Sequence, residues 1–433
     1  MRQIRRARGS TRPSPDAAWS WVFAAFVLAG LTGVAFRLGM VGASLGPLEL
    51  GDVRHAHSHL MFFGWAAPAL MLLIAHRVQA LAGDVDSMRR AAVWALAAGL
   101  TAYPVFLLSG YQTVAVLGRQ VPLSVLVASL NGVAWVVFAV AYRRATRGVV
   151  RHRALRLWDA AVVFLLLAPV GAMGRGVADA TGADLFWSSS AIHAFLGWFA
   201  DGWLLLGVLG LAWHSLGGIE WMARLGQRLL VAGLPLSVLA WSSTEGRPAG
   251  VGVLVAGAVV VVGVGVVLLV ASMLRPRMPG LAQTLWVVPL AALALRGVSE
   301  PLGVLGLEAS ATGDAARVLY LHLLLLGGVS TGLLTALAGK EAAVARRMRA
   351  WWIAVAIMLA SLVLLTSPAG QSLAGRWLAV VAAAGPVAVV VLIVISRRRV
   401  GGESGGPASP VRAATADHAR DDLLVSGASQ GAR

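Results

Sequence analysis

Arg54-His55-Ala56-His57-Ser58-His59-Leu60-Met61-Phe62-Phe63-Gly64-Trp65 sets three histidines within five residues at the head of an apolar run, and that run continues to Ile74 without a charge. About 20 apolar residues are what a helix needs to cross the hydrocarbon core. The stretch therefore reads as a membrane helix entered through histidines. Ionisable residues in a span are costly and mark function by default, and histidine is the usual protein ligand for haem iron and a common one for copper.

The rest of the chain agrees with a bilayer. Of 433 residues, 58% are hydrophobic and 13% charged, with a mean hydropathy of +0.78. A soluble protein of this size carries roughly a quarter charged residues. There is no cysteine, which excludes disulfides, thiolate-ligated haem, iron–sulfur clusters and cysteine nucleophiles. The net charge of +17 comes almost wholly from arginine, with Lys340 the single lysine. Its distribution is that of a membrane topology signal, and no nucleic-acid partner is expected.

Twelve segments have the length and composition of spans: 18–41, 56–75, 91–110, 121–142, 157–174, 185–212, 227–243, 249–274, 280–298, 316–338, 351–367 and 376–396. With the N-terminus inside, the inner segments hold 25 Arg and Lys and the outer ones eight, the last three lying in the tail. That alternation follows the positive-inside rule. The expected fold is an all-α integral membrane protein of twelve helices in three pseudo-symmetric four-helix arcs. Residues 1–17 form a cytoplasmic basic arm, 18–398 the membrane domain, and 399–433 a Gly/Ser/Pro-rich disordered cytoplasmic tail. The expected location is the plasma membrane, multi-pass, with membrane lipid as the immediate partner.

A threefold pattern runs through the spans. His59, His193 and His322 lie near the outer ends of the second, sixth and tenth, 134 and 129 residues apart. Each is followed by apolar residues and a glycine, at Gly64, Gly197 and Gly327; Phe63-Gly64-Trp65 and Leu196-Gly197-Trp198 are near copies. The chain thus reads as three repeats of four helices with a histidine on the second helix of each. Three imidazoles at one depth can surround one or two cofactors, and the glycines let a flat macrocycle or a neighbouring helix approach. His55 and His59, one turn apart, share a face; His57 points roughly the other way. Either His57 or His59 remains open as a ligand. His76, His152 and His214, at the inner ends of spans, read as interfacial.

Asp201, eight residues after His193, is a candidate proton relay or a hydrogen-bond partner for a neighbouring helix. Arg54, Arg296, Arg317 and Arg376 sit at outer helix ends, as cations for carboxylates or as interfacial anchors. Glu300, Glu308 and Asp314 read as solvated in one outer loop.

Twelve spans with histidines on the second, sixth and tenth resemble the catalytic subunit of haem–copper oxidases and nitric oxide reductases. Arg54-His55-Ala56-His57 is similar to the Arg-x-x-His that opens the second helix of the reductases, and His322 with Gly327 to their tenth-helix ligand. The resemblance implies a low-spin haem b between a second-helix histidine (His57 or His59) and His322, with Arg54 beside it. It implies a ligand for copper or another second metal at His193, with His55 a further metal candidate, and an electron donor protein or quinol as partner. The family's pair of seventh-helix histidines is absent, and Tyr320 stands where its high-spin haem ligand belongs, so the dinuclear centre is incomplete. The chain also resembles the NnrS family of haem- and copper-containing, nitric-oxide-linked membrane proteins: His57-Ser58-His59-Leu60-Met61, with Gly64 following, is similar to its His-x-His-Glu-Met opening, Leu60 replacing the acid.

Two function classes follow. The first is a haem-binding membrane protein, redox or nitric-oxide-related, an oxidoreductase if it turns over. The second is a cofactor-free transporter that uses the histidines for proton coupling. Transporters place their sites at broken helices near the midplane, whereas these histidines lie near one surface.

Overall fold

The computed structural model describes residues 15–274, 281–305 and 314–403. Residues 1–14 of the basic arm, Glu308, and the tail from 404 with His418 lie outside the described residues. In chain order the long helices are α1 (Ala17–Met40), α2 (Leu50–Ala82), α3 (Asp86–Ser109), α4 (Leu123–Ala145), α5 (Arg153–Thr181), α6 (Leu185–Leu216), α7 (Glu220–Ser237), α8 (Val251–Met273), α9 (Ala282–Val304), α10 (Arg317–Ala338), α11 (Met348–Leu365) and α12 (Leu373–Arg398). Every span expected from the sequence has its helix. The protein is an all-α, multi-span membrane protein; its only sheet among the described residues is a hairpin, Val114–Val116 with Arg119–Val121.

Among the described residues eleven of these helices are long and apolar enough to cross a membrane, α7 being the exception. Its eighteen residues include Glu220, Arg224 and Arg228. It continues as a 3-10 turn, Val238–Trp241, and the two pieces together cover roughly 35 Å, against about 30 Å of hydrocarbon. α7 packs closely on α8: Gly226 and Gly265 face each other, and a Cβ on either would lie within 2.8 Å of the other's carbonyl oxygen. Small residues at such a crossing let backbones approach where hydrophobic driving force is absent. The helix of α12 runs on to Glu403, five residues past the boundary expected at 398.

Three helices form the interior. In α2, α6 and α10, 78%, 72% and 83% of the most apolar stretch is buried, against 28–44% in the other spans. A helix apolar all round is a buried helix, and these are the second helices of the three repeats. They meet through small residues and hydroxyls. Gly207 of α6 packs on Leu70 of α2, and Gly332 of α10 on Val208 of α6. The Trp65 indole donates to Ser330 Oγ at 2.9 Å, joining α2 to α10.

Each interior helix also widens into a π segment just below its histidine: Leu60–Ala66, Trp198–Leu205 and Leu323–Ser330. Such insertions are rare and cluster at functional sites. The glycines of the threefold pattern sit in or at the edge of these segments, and what they admit is a neighbour's side chain: Ala25 against Gly64, Val238 against Gly197, Ala292 against Gly327. The close approach is therefore helix to helix at all three.

α3 lies on the first π segment through Gly99, whose Cβ would fall 2.7 Å from Phe63 O. Gly99→Ala is therefore expected to destabilise the protein by about 1–3 kcal/mol through backbone displacement, despite the better helix propensity of alanine. Thermal unfolding in detergent measures it, and an unchanged midpoint refutes it.

The end opposite the histidines is basic. There Arg397 Nε lies 2.7 Å from Glu341 Oε2, and His152 and His214 meet with ring centroids 6.5 Å apart. Partial burial, then the Arg77 guanidinium, push the Lys340 amine down to about 8. Its acylation rate should climb with pH to half-maximum near 8, where an ordinary lysine waits until about 10.4. Peptide mass separates this sole lysine from the N-terminal amine; a midpoint near 10 contradicts the assignment.

Candidate functional site

The histidine cluster occupies the α-helical opening of α2, Leu50–His59, and helical geometry sends its members two ways. His55 and His59 face α3. The His59 ring stacks on Phe106 at 3.7 Å and 17°, its Nε2 is 2.8 Å from Tyr111 Oη, and His55 stands edge-on to the same Tyr111 ring at 4.6 Å. Arg54 is exposed and lies within Coulombic range of His55 and Tyr111. This is an aromatic packing face: His59 spends Nε2 on Tyr111, and its buried Nδ1 has no hydrogen-bond partner among the described residues.

His57 faces α1. Its Nδ1 is 2.7 Å from Ala29 O, and the ring lies against Gly33, where a Cβ would approach Nδ1 and Cε1 to 2.8 Å. His322, at the last turn before the π segment of α10, has Nδ1 2.8 Å from Val318 O. A carbonyl only accepts, so both Nδ1 atoms carry the proton, and in the neutral rings both Nε2 atoms keep their lone pairs. His57 and Arg37 both lie within Coulombic range of His322. Arg37, in the last turn of α1, makes no hydrogen bond or ion pair among the described residues. Of the two second-helix candidates it is His57, not His59, that lies within Coulombic range of His322, and the cation within range of both is Arg37.

His193 is elsewhere. It lines a cavity of about 60 Å³ with Asp201, Arg296, Glu300, Arg317 and Tyr320; His57, His59 and His322 do not line it. This cavity is therefore lined by one of the three histidines and is not a chamber shared by all of them. Arg317 Nη2 sits 3.2 Å from His193 Nδ1. A guanidinium only donates, so Nδ1 accepts and the neutral ring carries its proton on Nε2. His193 is thus the opposite tautomer to His57 and His322: it offers an N–H, not a lone pair. Among the described residues no group of three or more His, Asp or Glu could hold a metal ion.

Below His193 an ion-pair triad links α6 and α9. Arg296 Nη1 is 2.7 Å from Asp201 Oδ1, Nη2 donates to Asp201 Oδ2 at 3.1 Å and lies 3.0 Å from Glu300 Oε2. The Trp241 indole donates to Glu300 Oε1 at 3.2 Å. Arg296, expected at a helix end, is 6% exposed. Glu300, expected in a solvated loop, lies on α9 with its side chain 13% exposed. Asp201 is the neighbouring-helix partner of the two readings weighed from sequence. Arg376 stays on the surface.

Comparison with known proteins finds no matching family model and no matching characterised protein.

Proposed function

We propose that this chain is a haem-binding membrane protein in which His57 and His322 would hold a b-type haem through Nε2. One observation carries the reading: both rings spend Nδ1–H on a backbone carbonyl, at 2.7 and 2.8 Å, and so present Nε2. Metal-bound histidines have this outer-shell arrangement, which fixes tautomer and ring plane. Arg37 is the group that would pair with a propionate. A haem held by two histidines supplies reversible one-electron exchange. The role is redox or nitric-oxide-related, with an electron donor protein or quinol as partner. The basic end of the bundle faces the cytoplasm of the cell membrane, by the positive-inside rule.

The cavity at His193 suits a second small molecule better than copper or another second metal. Its volume of about 60 Å³ admits a few water molecules or a molecule of that size, and His193 meets it as a hydrogen-bond donor. A transporter reading has less support. The π segments of α2, α6 and α10 are flanked by right-handed helical residues, so no interior helix is broken in the way transporter sites require.

The test is the visible spectrum of protein made with ample haem, reduced minus oxidised, with a pyridine haemochrome. A low-spin b-type spectrum at one haem per chain is expected. No Soret band refutes the proposal.

A further inference from the structure

The helix that fails the apolar count poses a question the haem reading leaves unanswered: what covers its polar side. Along α7, Arg224, Gln227, Arg228 and Val231 recur at the i, i+3, i+4, i+7 spacing of one helix face. That face borders the first turn of α5, where Arg153 and Arg156 stand three residues apart. Together these residues line a groove of about 520 Å³ at the basic end of the bundle, within the size range of small-ligand pockets.

The groove is built and is not a scatter of surface charge. Arg153 is 5% exposed; it binds Glu220, and its Nη1 donates to Gln227 Oε1 at 2.6 Å. Gln227 Nε2 in turn donates to Arg156 O at 3.0 Å. α7 is thus clamped to α5 by a buried guanidinium. Its neighbours are undercompensated. Among the described residues Glu220 is the one carboxylate bonded to these arginines, and Arg224 stands 3.8 Å from it. Arg156 gives Nε to Arg151 O. Arg228 has no hydrogen bond or ion pair among the described residues. Deeper in the bilayer direction the wall turns apolar, with exposed Val231 and Ala232. Arg228 lies eight residues along α7 from Glu220, about 12 Å, and Val231 one turn further.

We infer that this groove binds the phosphate of an anionic phospholipid: Arg156, Arg224 and Arg228 take the headgroup, and an acyl chain lies over Val231 and Ala232. Guanidinium groups favour phosphate oxygens through paired N–H donors, and basic pockets between helix ends are where anionic headgroups bind. The apolar wall below the arginines favours a lipid over free phosphate, which would leave it uncovered. The inference stands apart from any cofactor.

Full-length protein, purified in a neutral detergent and stripped of lipid, is titrated with dihexanoyl-phosphatidylglycerol, dihexanoyl-phosphatidylcholine and inorganic phosphate, following the thermal midpoint. Phosphatidylglycerol is expected to raise the midpoint saturably and phosphatidylcholine to leave it in place. In the Arg224→Gln/Arg228→Gln double variant the phosphatidylglycerol affinity should fall about thirtyfold, from the contribution of two interfacial arginines. Arg143→Gln/Arg144→Gln, exposed at the same end but outside the groove, should bind as wild type. Three results overturn the inference. These are no response to phosphatidylglycerol, an equal loss in both double variants (which reduces the arginines to a diffuse topology signal), and an equal response to inorganic phosphate (which makes the ligand a free anion). If the groove variant does not fold, Arg156→Gln alone, with an expected loss of about fivefold, carries the same comparison.

Discussion

His57→Ala and His322→Ala are each expected to abolish the proposed b-type haem, while His59→Ala keeps it and its low-spin spectrum. Disturbing an outer-shell partner of a metal-bound histidine costs about 10–100-fold in affinity; deleting the ligand itself costs more, so occupancy should fall to background. The contrast within one short cluster is the informative part. His57 and His59 are two residues apart and each has one nitrogen engaged, but His59 spends Nε2 on Tyr111 at 2.8 Å, with its ring stacked on Phe106 and only the buried Nδ1 left, whereas His57 spends Nδ1 on a carbonyl and leaves Nε2. Gly33→Ala is a graded companion. Its Cβ would come 2.8 Å from the His57 ring, which must tilt, so haem should weaken within that 10–100-fold range without disappearing. Pyridine haemochrome per mole of protein reads all four variants. Full haem in His57→Ala or His322→Ala, or its loss in His59→Ala, removes the proposed ligand pair.

The second large effect concerns the triad beside His193. Arg296→Met is expected to destabilise the protein by about 3–5 kcal/mol, the usual cost of leaving a buried charge without its partner. Two carboxylates are stranded by that one change, Asp201 and Glu300, whose side chains are 14% and 13% exposed. Replacing all three by apolar residues of similar volume, as Arg296→Met with Asp201→Leu and Glu300→Leu, should recover most of the loss, because desolvation of an ion pair offsets much of its Coulombic gain. Thermal midpoints in one detergent compare them. A triple variant as unstable as the single one would mean that packing around the cavity, and not charge, governs its stability. The haem spectrum should be little changed in a folded triple variant, since the triad lines a cavity that excludes His57 and His322.

Much of the fold is legible in the chain because a bilayer forces backbone groups to bond within each helix and leaves hydropathy to mark where helices run. The repeat of His59, His193 and His322 also points correctly at the three interior helices. The sequence does not show what those positions do once packed. Arg37 reads as one more basic residue at a helix end, and nothing local links it to His322. Glu300 reads as solvated because Arg296, four residues away and itself apparently exposed, gives no sign that both are buried against Asp201. The glycines after each histidine admit either a macrocycle or a helix; only the observed contacts with Ala25, Val238 and Ala292 choose the helix.

Residue type and spacing alone therefore determined that the chain is an all-α, multi-span membrane protein, that one end is basic, and that histidine recurs near the other end on every fourth helix. Tertiary structure decided which nitrogen of each histidine is available. That choice rests on a single neighbour in each case: a carbonyl beside His57 and His322, which must accept, and a guanidinium beside His193, which must donate. An imidazole takes the tautomer its partner requires, and the partner of His57 lies on another helix, as does that of His193, at a distance in sequence that no local pattern spans.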